Sequence, residues 1–433
     1  MADLTANLAG IESPNPFWLA SGPPTNTGDQ VARAFDAGWG GAVWKTIGEP
    51  IENTWSRYSS VDLNGNRMMG LNNIELITDR PLEVNLKEIR EVKRRYPDHA
   101  VVVSAMVEST REAWHTIVKQ IEETGADGIE LNFGCPHGMS ERGMGSAIGQ
   151  VPEYCSQITE WAKEVAETPV IVKLTPNITD IRSAARAATA GGADAISLIN
   201  TINSITVDLD TLTPRPMVDN RSSHGGYSGP AVKPIALNMV AAIAGDPETA
   251  EVPISGIGGV AKWRDAAEFI LLGATNVQVC TAVMHYGFRI VEGMIEGLGN
   301  YLDSKGMAGV ADLQGLSVDR VTDWQHLDLN YIIKAEINQE TCIGCALCYI
   351  ACNDGAHQAI GAKRSPEGRT DVWIKYDDCV GCNLCSLICP VEGCITMVEQ
   401  ETEYQPLTWA EHESGANPTP LAPRPKHDLT IGS

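Results

Sequence analysis

The sequence has little positive charge for its size. Its 433 residues include 32 lysines and arginines against 55 aspartates and glutamates, which gives a formal net charge of −23. A surface this acidic repels nucleic-acid phosphates and anionic lipid headgroups. We therefore expect neither nucleic acid nor a membrane as a partner.

Long apolar runs are also missing. The first ten residues, MADLTANLAG, lack a basic segment followed by an apolar one, so we expect no export signal. The least polar stretch, residues 266–284, still carries Glu268, Asn276 and Gln278, so we expect no transmembrane helix. Together these absences predict a cytoplasmic protein.

A dinucleotide-binding fingerprint is absent as well. No GxGxxG segment opens a strand–helix unit, and Gly143-Met144-Gly145 has the wrong spacing. We therefore expect no nicotinamide or FAD site in this chain. Hydrophobic residues nevertheless make up 43%, enough for a large core, and the length fits one large domain plus a small one.

Cysteines are concentrated near the carboxyl end of the chain. Nine of the 12 follow residue 341, and eight of these form two CxxCxxCxxxC runs. Such runs ligate two 4Fe-4S clusters in bacterial-type ferredoxins, and the fourth cysteine of each run serves the other cluster. The predicted ligand sets are Cys342, Cys345, Cys348 and Cys389 for one cluster, and Cys352, Cys379, Cys382 and Cys385 for the other.

Two details of this module depart from a simple ferredoxin. Asn353 follows Cys352 where a proline is usual, which affects the local loop but removes no ligand. Cys394 lies outside the eight, and we expect a small buried thiol there. Zinc is the alternative metal, but structural zinc sites usually pair two CxxC knuckles, so the spacing favours iron–sulfur clusters.

Short apolar runs alternate with helix-periodic stretches from residue 16 to about 285. Eight runs separated by helices predict an α/β fold, a (β/α)8 TIM barrel, with a doubly wound open sheet as the alternative. Glycines at 38, 125, 192 and 273 are expected to end helices in the left-handed conformation. The eight predicted strands are PFWLASG (16–22), GAVWKTI (41–47), VVVSAM (101–106), GIELNFG (128–134), PVIVKLTP (169–176), AISLINT (195–201), PISGIGG (253–259) and NVQVCTAV (276–283).

The domain boundaries follow from these two regions. We predict the barrel over residues 1–310, a connector over 311–335, and a small α+β ferredoxin-like domain over 336–400 with a hairpin at WIKYDD. The polar, proline-rich tail over 401–433 is expected to wrap a neighbouring surface or to stay mobile.

Polar residues follow the predicted barrel strands, where the chemistry of such barrels is located. They are Ala20 and Ser21, Lys45 and Thr46, Asn132, Lys173 and Thr175, Asn200 and Thr201, Gly258 and Gly259, and Cys280 and Thr281. Lys45 and Lys173 end apolar strands, and an ammonium there needs an electron-rich partner, such as the pyrimidine edge of a reduced flavin. A side chain that reaches out to solvent is the alternative. A flavin would also join the one-electron clusters to hydride chemistry.

A glycine-rich turn after the seventh strand resembles the phosphate site of such barrels. Gly258 and Gly259 are expected to open a helix directly, so that backbone amides grip a phosphate. The segment HGGYSGPAV, with Gly225, Gly226, Ser228 and Gly229, is expected to complete the grip. A simple tight turn is the alternative.

The loop after the fourth strand carries a candidate proton donor. Cys135, in NFGCPHG, can protonate a substrate carbon opposite a flavin, or it can be an inert buried thiol. His137 can tune or relay that proton, or make a structural hydrogen bond. The following glycine-rich segment, GMSERGMGSAIG, resembles a mobile lid with glycine hinges.

Amide side chains supply candidate substrate ligands. Asn73, Asn132 and Asn200 each offer a donor beside an acceptor, which matches the edge of a pyrimidine dione. Glu75 and Thr201 add a carboxylate and a hydroxyl. Asparagines are also common turn residues, which is the alternative reading of these positions.

With these motifs, the chain resembles the FMN and iron–sulfur subunits of bacterial NAD-dependent dihydropyrimidine dehydrogenases. It is also similar to the carboxyl-terminal part of the longer eukaryotic enzyme. The segments that carry the resemblance occur in the family's order from residue 16 to about 400. They are LNNIELI, ELNFGCPHGM followed by ERGMG, VKLTPNITDI, LINTINS, GGYSGPAVKPIAL, VQVC, and the cysteine module with CNDGAHQAI.

The resemblance implies reduction of uracil or thymine to 5,6-dihydropyrimidines, a step of pyrimidine catabolism, with FMN and two 4Fe-4S clusters as cofactors. Cys135 would protonate carbon 5, while hydride from the flavin reaches carbon 6. The implied pyrimidine-binding positions are Asn73, Glu75, Asn132, Asn200 and Thr201. The implied FMN positions are Ala20, Ser21, Lys45, Thr46, Asn132, Lys173, Asn200, Gly229, Gly258, Gly259, Cys280 and Thr281.

The same resemblance implies partners. Electrons would come from a separate NADH-oxidising flavoprotein subunit with FAD and iron–sulfur clusters (PreT-like), and two copies of this chain would form a homodimer within a heterotetramer. One position departs from the eukaryotic pattern: Gly134 stands where the eukaryotic enzyme has a serine, so a hydroxyl contact from that position is missing.

Three other functions compete with this interpretation. Dihydroorotate dehydrogenases share the barrel and a Cys-Pro loop, but normally have asparagine at the position of His137 and no fused ferredoxin module. The tRNA-dihydrouridine synthases share Asn-x-Gly-Cys-Pro, but they bind polyanionic RNA, which the charge of −23 opposes. A plain electron carrier would leave the barrel unexplained.

Overall fold

The computed structural model describes residues 2–63, 66–366 and 368–423. The chain divides into two compact units, Met1–Val321 and Thr322–Ser433. The division falls inside the predicted connector, and the last ten residues of the predicted tail lie outside the described ranges. Across those ranges, none of the helices combines the length and apolar character needed to cross a bilayer.

The first unit alternates strands and helices. Its strands are β1 (Ala6–Leu8), β2 (Ile11–Ser13), β3 (Phe17–Leu19), β4 (Gly41–Ile47), β5 (Tyr58–Leu63), β6 (Asn66–Asn73), β7 (Ala100–Ala105), β8 (Gly128–Asn132), β9 (Val170–Lys173), β10 (Ala195–Leu198), β11 (Ile202–Ser204), β12 (Thr206–Asp208), β13 (Thr213–Arg215), β14 (Gly225–Ser228), β15 (Ile254–Ile257) and β16 (Ala274–Val279). Its helices are α1 (Gly28–Ala37), α2 (Leu82–Arg95), α3 (Arg111–Glu122), α4 (Ser146–Gly149), α5 (Pro152–Lys163), α6 (Ile181–Ala190), α7 (Lys233–Ala244), α8 (Trp263–Leu271), α9 (Thr281–Tyr286), α10 (Ile290–Lys305) and α11 (Val310–Leu313).

Eight parallel strands close into a barrel, as the sequence predicted. Their order is β3-β4-β7-β8-β9-β10-β15-β16, and β16 pairs with β3 to complete the ring. The strands read as apolar runs because helices cover their outer faces while side chains fill the interior. The predicted helix terminators at glycines 38, 125, 192 and 273 have φ of +112°, +80°, +91° and +106°, which confirms the left-handed conformation.

An amino-terminal hairpin closes the lower end of the barrel. Leu8 and Ile11, from the antiparallel pair β1 and β2, pack against the interior residues Trp18, Val43 and Val102. This apolar layer seals the barrel at the amino ends of the strands. The cavity described below therefore opens at their carboxyl ends.

A second sheet lies at the carboxyl end, and the sequence did not predict it. Its antiparallel strands run in the order β11-β14-β6-β5, and β12 and β13 form a further hairpin. The strands come from two insertions, one between β4 and α2 and one between β10 and α7. The sheet places the end of β6, with Asn73, at the mouth of the barrel.

The second unit is built around its cysteines. It contains β17 (Ile333–Ile337), β18 (Ile360–Arg364), β19 (Thr370–Ile374), β20 (Ile395–Glu399), α12 (Leu347–Asn353), α13 (Leu384–Ile388) and α14 (Trp409–Ser414). β17 pairs with β20, and β18 pairs with β19. The hairpin predicted at WIKYDD is therefore displaced: Trp373 and Ile374 end its second strand, and its turn lies between Arg364 and Thr370. Apolar side chains such as Ala335, Ile360 and Val372 pack with the cysteines in one core.

The described part of the tail folds back onto the start of this unit. Leu329 N donates to Leu407 O at 2.8 Å, and the buried Asn330 donates to Gln405 O at 2.6 Å. The rings of Trp324 and Trp409 lie 6.2 Å apart. Residues 401–423 thus cover a neighbouring surface, which is one of the two arrangements expected from the sequence.

Candidate active site

A cavity opens at the carboxyl ends of the barrel strands. It contains about 1250 Å³ of space between atoms, including open solvent at its mouth. The barrel and the second sheet gather here the residues that the resemblance assigned to proton transfer, the pyrimidine or FMN. They are Ala20, Ser21, Lys45, Thr46, Asn73, Glu75, Asn132, Cys135, His137, Lys173, Asn200, Thr201, Gly229, Gly258, Gly259, Cys280 and Thr281.

Hydrogen bonds link the polar side chains along the cavity wall. Asn132 Nδ2 donates to Thr46 Oγ1 at 2.9 Å, and Asn200 Nδ2 donates to Asn132 Oδ1 at 3.1 Å. Thr201 N donates to Asn200 Oδ1 at 2.8 Å, and the hydroxyls of Ser21 and Thr46 lie 3.2 Å apart. The amides are therefore held in fixed orientations before a ligand arrives, which lowers the entropy cost of binding.

Two predicted residues form an ion pair. Lys45 Nζ lies 2.5 Å from Glu75 Oε1. Glu75 Oε2 also accepts from Tyr58 OH at 2.8 Å and pairs with Arg57 Nε at 3.0 Å. The sequence analysis missed Arg57 and Tyr58, because they belong to the unpredicted sheet or its edge. The short alternation of apolar and polar residues in VDL, just after Tyr58, was the available signal.

Lys173 is the second buried lysine, and its ion pair is longer than that of Lys45. Its Nζ lies 3.7 Å from Glu130 Oε1, with the two side chains 6% and 0% exposed. No hydrogen bond within the described ranges engages this ammonium, so its N–H groups are available to the cavity. An electron-rich ring edge is a suitable acceptor for them.

The Cys135 thiol lies at the cavity wall and is 8% exposed. Its Sγ donates to the backbone oxygen of His137 at 3.5 Å. Burial raises the pKa of this thiol to about 11, although that hydrogen bond and the charge of Lys173 lower it in part. The sulfur therefore keeps its proton at neutral pH, as a proton donor must.

His137 holds the Cys135 loop in place. Its Nε2 lies 2.9 Å from the backbone oxygen of Glu75, so the neutral ring donates there. Burial lowers the pKa of His137, which favours the neutral form. The thiol contacts the backbone of His137 and not its ring, which favours the structural hydrogen bond over the proton relay.

The glycine-rich segment after His137 folds down over Cys135. Met139 and Met144 are buried and pack with Cys135, Met106 and Ile77. Gly145 has φ of +58°, and a Cβ at this position would lie 2.8 Å from the Cys135 carbonyl oxygen. The close approach of these two backbone segments therefore requires glycine.

The prediction for the helix after Gly259 was wrong. α8 begins at Trp263, and the amides of Ala261 and Lys262 donate to the Asp265 carboxylate at 2.9 and 3.1 Å. Asp265 caps its own helix, so this helix start is closed to a phosphate. The amides of Gly258 and Gly259, by contrast, donate to none of the residues that the structure describes, and both glycines line the cavity.

Only part of the HGGYSGPAV segment contributes to the cavity wall. Ser228 and Gly229 line the cavity, whereas Gly225 and Gly226 lie in β14. A Cβ at Gly226 would collide with the Thr201 side chain. These two glycines thus allow the strand to pack closely, and the predicted role in gripping a phosphate does not extend to them.

Cysteines surround two further cavities in the second unit. One cavity, of about 360 Å³, is lined by Cys352, Cys379, Cys382 and Cys385. The other, of about 330 Å³, is lined by Cys342, Cys345, Cys348 and Cys389, with the buried Cys394 at its wall as well. The crossed sets of four match the two ligand sets that the sequence predicted.

The two cysteine loops repeat one backbone geometry. Gly344 and Gly381 have φ of +69° and +70°, and Ala346 and Asn383 have φ of +61° and +67°. In the described residues no three His, Cys, Asp or Glu side chains converge on a single-ion site. The cysteines stand apart around each cavity, which suits a cluster of several irons.

Comparison with known families covers both units. Residues 3–302 match the family model of dihydroorotate dehydrogenase, and residues 335–397 match that of the 4Fe-4S dicluster domain. The first match spans the barrel, and the second spans both cysteine runs.

Individual relatives show how far the likeness extends. The chain is 43% identical over 399 residues to the NAD-dependent dihydropyrimidine dehydrogenase subunit PreA of Escherichia coli (strain K12), covering 92% of this chain and 96% of that protein. It is 41% identical over 349 residues to the chloroplastic dihydropyrimidine dehydrogenase (NADP(+)) of Arabidopsis thaliana, covering 78% and 82%. It is 38% identical over 315 residues to the catalytic subunit of dihydroorotate dehydrogenase B (NAD(+)) of Pyrococcus abyssi, covering 73% and 99%.

Proposed function

Because the chain belongs to the dihydroorotate dehydrogenase family and carries a 4Fe-4S dicluster domain, we propose that it is the catalytic subunit of a dihydropyrimidine dehydrogenase. It reduces uracil or thymine to the 5,6-dihydropyrimidine. The 43% identity to a dihydropyrimidine dehydrogenase subunit extends over 92% of the chain, so it includes more than the barrel.

One observation carries the proposal: a protonated, buried thiol shares a cavity with a fixed set of amides. Asn73, Asn132 and Asn200 line the cavity that Cys135 borders. A pyrimidine dione presents alternating N–H and C=O groups, which these amides can pair in order. The ring would then lie with carbon 5 towards the sulfur.

The cavity also fits FMN. Lys173 offers unpaired N–H groups to the ring, and the amides of Gly258 and Gly259 offer donors to the phosphate. When bound, FMN would supply the hydride and join two-electron chemistry to one-electron transfer. Lys45, held by Glu75 at 2.5 Å, adds a second fixed positive charge at the ring.

Cys135 would give the proton to carbon 5. Its pKa of about 11 keeps the thiol protonated through the neutral range, and His137 holds its loop against the backbone of Glu75. In the reverse direction the thiolate would accept that proton. Met139 and Met144 pack against Cys135 and keep most of its surface buried.

Electrons would reach this chain from a second protein. The E. coli relative is named as a subunit of an NAD-dependent enzyme, and this sequence contains no GxGxxG fingerprint. A PreT-like flavoprotein with FAD and iron–sulfur clusters would oxidise NADH and deliver single electrons to the two clusters. Two copies of this chain would form the core of the assembly.

The test is an anaerobic titration of the purified, FMN-loaded chain. Dihydrouracil and dihydrothymine should bleach the flavin absorbance, and a matched titration with dihydroorotate should leave it unchanged. With an artificial reductant, the same protein should convert uracil or thymine to the dihydropyrimidine. Bleaching by dihydroorotate alone would contradict the proposal in favour of a dihydroorotate dehydrogenase.

Gly134 gives a more local prediction. A Cβ at Gly134 would lie 2.7 Å from Asn200 Nδ2, so Gly134→Ala must displace the Asn200 amide from Asn132. Loss of one such hydrogen bond costs about 1 to 3 kcal/mol, so the KM for uracil should rise about tenfold. Steady-state kinetics with a saturating electron donor measure this change.

Gly293→Ala is the matched control. Gly293 lies in α10, and a Cβ there would meet no atom within 4 Å. This variant should keep the wild-type KM. An unchanged KM in Gly134→Ala would mean that Asn200 does not contact the pyrimidine.

A further inference from the structure

The barrel interior directly below the cavity is polar. Interiors of such barrels are normally filled by branched apolar side chains, as in the layer closed by the amino-terminal hairpin. Here Glu130, Ser197, Ser255 and Gln278 are each at most 1% exposed. Gln278 Nε2 donates to Ser255 Oγ at 3.0 Å, so the layer is connected. Burying a carboxylate in such a layer is costly unless it has a partner.

Only one of the two carboxylate oxygens of Glu130 is hydrogen-bonded inside this layer. Its Oε2 accepts from Ser197 Oγ at 2.9 Å and from Gln278 Nε2 at 3.5 Å. Its Oε1 has no hydrogen-bond partner among the described side chains. That free oxygen lies 3.7 Å from Lys173 Nζ. This oxygen and the Lys173 ammonium, neither of which has a hydrogen bond within the described ranges, therefore face each other at the cavity floor.

Among the described residues that line the cavity, Glu75 is the other carboxylate, and it is not free for Lys173. Glu75 already binds Lys45 at 2.5 Å and Arg57 at 3.0 Å. The Cys135 and Cys280 thiols also interact with Lys173, but burial raises the pKa of each to about 11, so neither supplies a negative charge at neutral pH. Each cavity lysine thus has one carboxylate of its own.

We propose that Glu130 is a positioning residue that holds the Lys173 ammonium at the cavity floor, where it stabilises reduced over oxidised FMN. Glu130 is 0% exposed, so it acts on a ligand only through Lys173. This role rests on the proposed FMN site. Reduced flavin carries more negative charge on its pyrimidine edge than oxidised flavin, so a fixed ammonium binds the reduced form more strongly.

Removing the charge of Glu130 should weaken that preference. Without the carboxylate, Lys173 is a buried cation with no counter-charge, which is costly in free energy. Its positive charge is then most stable away from the cavity floor, nearer to solvent. In Glu130→Gln, which keeps the side-chain shape, the affinity ratio for reduced over oxidised FMN should fall at least tenfold. That change lowers the two-electron reduction potential by about 30 mV.

The measurement is an anaerobic potentiometric titration of flavin absorbance in the purified full chain. Lys173→Met should shift the potential in the same direction as Glu130→Gln. The double variant should shift it no further than either single one, because both changes remove one interaction. Additive shifts would overturn the proposal.

Two variants separate the charge of Glu130 from its packing. Ser197→Ala removes the hydrogen bond to Oε2 but keeps the charge, and it should leave the potential close to the wild-type value. Glu130→Asp keeps the negative charge on a shorter side chain, so its reduction potential should stay closer to the wild-type value than that of Glu130→Gln. If Glu130→Gln folds poorly, the other two variants still test the proposal. A lowered reduction potential in both Glu130→Asp and Ser197→Ala would overturn the role of the charge, because both variants keep it.

The outcomes distinguish this proposal from the proposed function. If Glu130→Gln binds FMN with an unchanged or more positive potential, the positioning role is wrong while the dehydrogenase proposal stands. If the wild-type chain cannot bind FMN at all, both are wrong.

Discussion

Pyrimidine reduction should fall about 10²- to 10⁴-fold when Cys135 is replaced by alanine, since general acid catalysis typically contributes that factor. The thiol is the protonated group at the cavity wall, and burial raises its pKa to about 11. Alanine removes the donor and leaves the cavity wall otherwise similar. FMN should stay bound, because Lys45, Lys173 and the glycine amides are unchanged. Turnover at saturating uracil and the flavin absorbance of the purified variant measure the two effects.

Cys155→Ala is the matched control for this variant. Cys155 is also a buried cysteine, but it lies on α5 with its Sγ 3.7 Å from Ala184 O, away from the cavity lining. This variant should keep wild-type turnover. Unchanged turnover in Cys135→Ala would show that another group donates the proton, and the assignment of Cys135 would fail.

A single cysteine substitution in the second unit should remove about half of the iron. Cys352 lines one cavity with Cys379, Cys382 and Cys385, and a 4Fe-4S cluster normally needs four thiolates. Cys352→Ala should therefore contain about four irons per chain where the wild type contains about eight. Iron analysis and the cluster absorbance measure the loss. With the proposed partner flavoprotein as electron donor, NADH-linked reduction should be lost with that cluster, because the electron relay is interrupted.

Asn353→Ala provides the control at the neighbouring position. Asn353 ends the same helix as Cys352 and stands where ferredoxins usually have proline. It supplies no sulfur, so this variant should keep the full iron content. Full iron in Cys352→Ala would show that Cys352 is not a cluster ligand.

The barrel was predictable because its strands are local and strongly patterned. Each is a short apolar run, such as GAVWKTI for β4, and helix-ending glycines precede four of the eight. Parallel strands of this kind need helices over their outer faces, so apolar runs and helix-periodic stretches alternate along the chain. The spacing of the cysteines likewise predicts their division into two sets, and the structure groups them accordingly.

The start of α8 shows where local reasoning failed. Glycines after a strand usually precede a helix that can hold a phosphate. Here Asp265 reaches back to the amides of Ala261 and Lys262. Whether a carboxylate caps its own helix or leaves the amides to a ligand depends on side-chain orientation, which the glycine pattern does not contain.

The linear order of residues was sufficient for the strands and the two cysteine runs, because both depend on spacing within a few residues, and it indicated Cys135 as a candidate proton donor. It could not show that Lys45 forms an ion pair with Glu75, or that Lys173 forms one with Glu130. Nor could it show that a separate sheet brings Arg57 and Tyr58 to Glu75 at the cavity. Those pairings join segments about 20 to 45 positions apart. Only closure of the barrel and packing of the second sheet bring such charges within a few ångströms, where electrostatic interaction becomes strong.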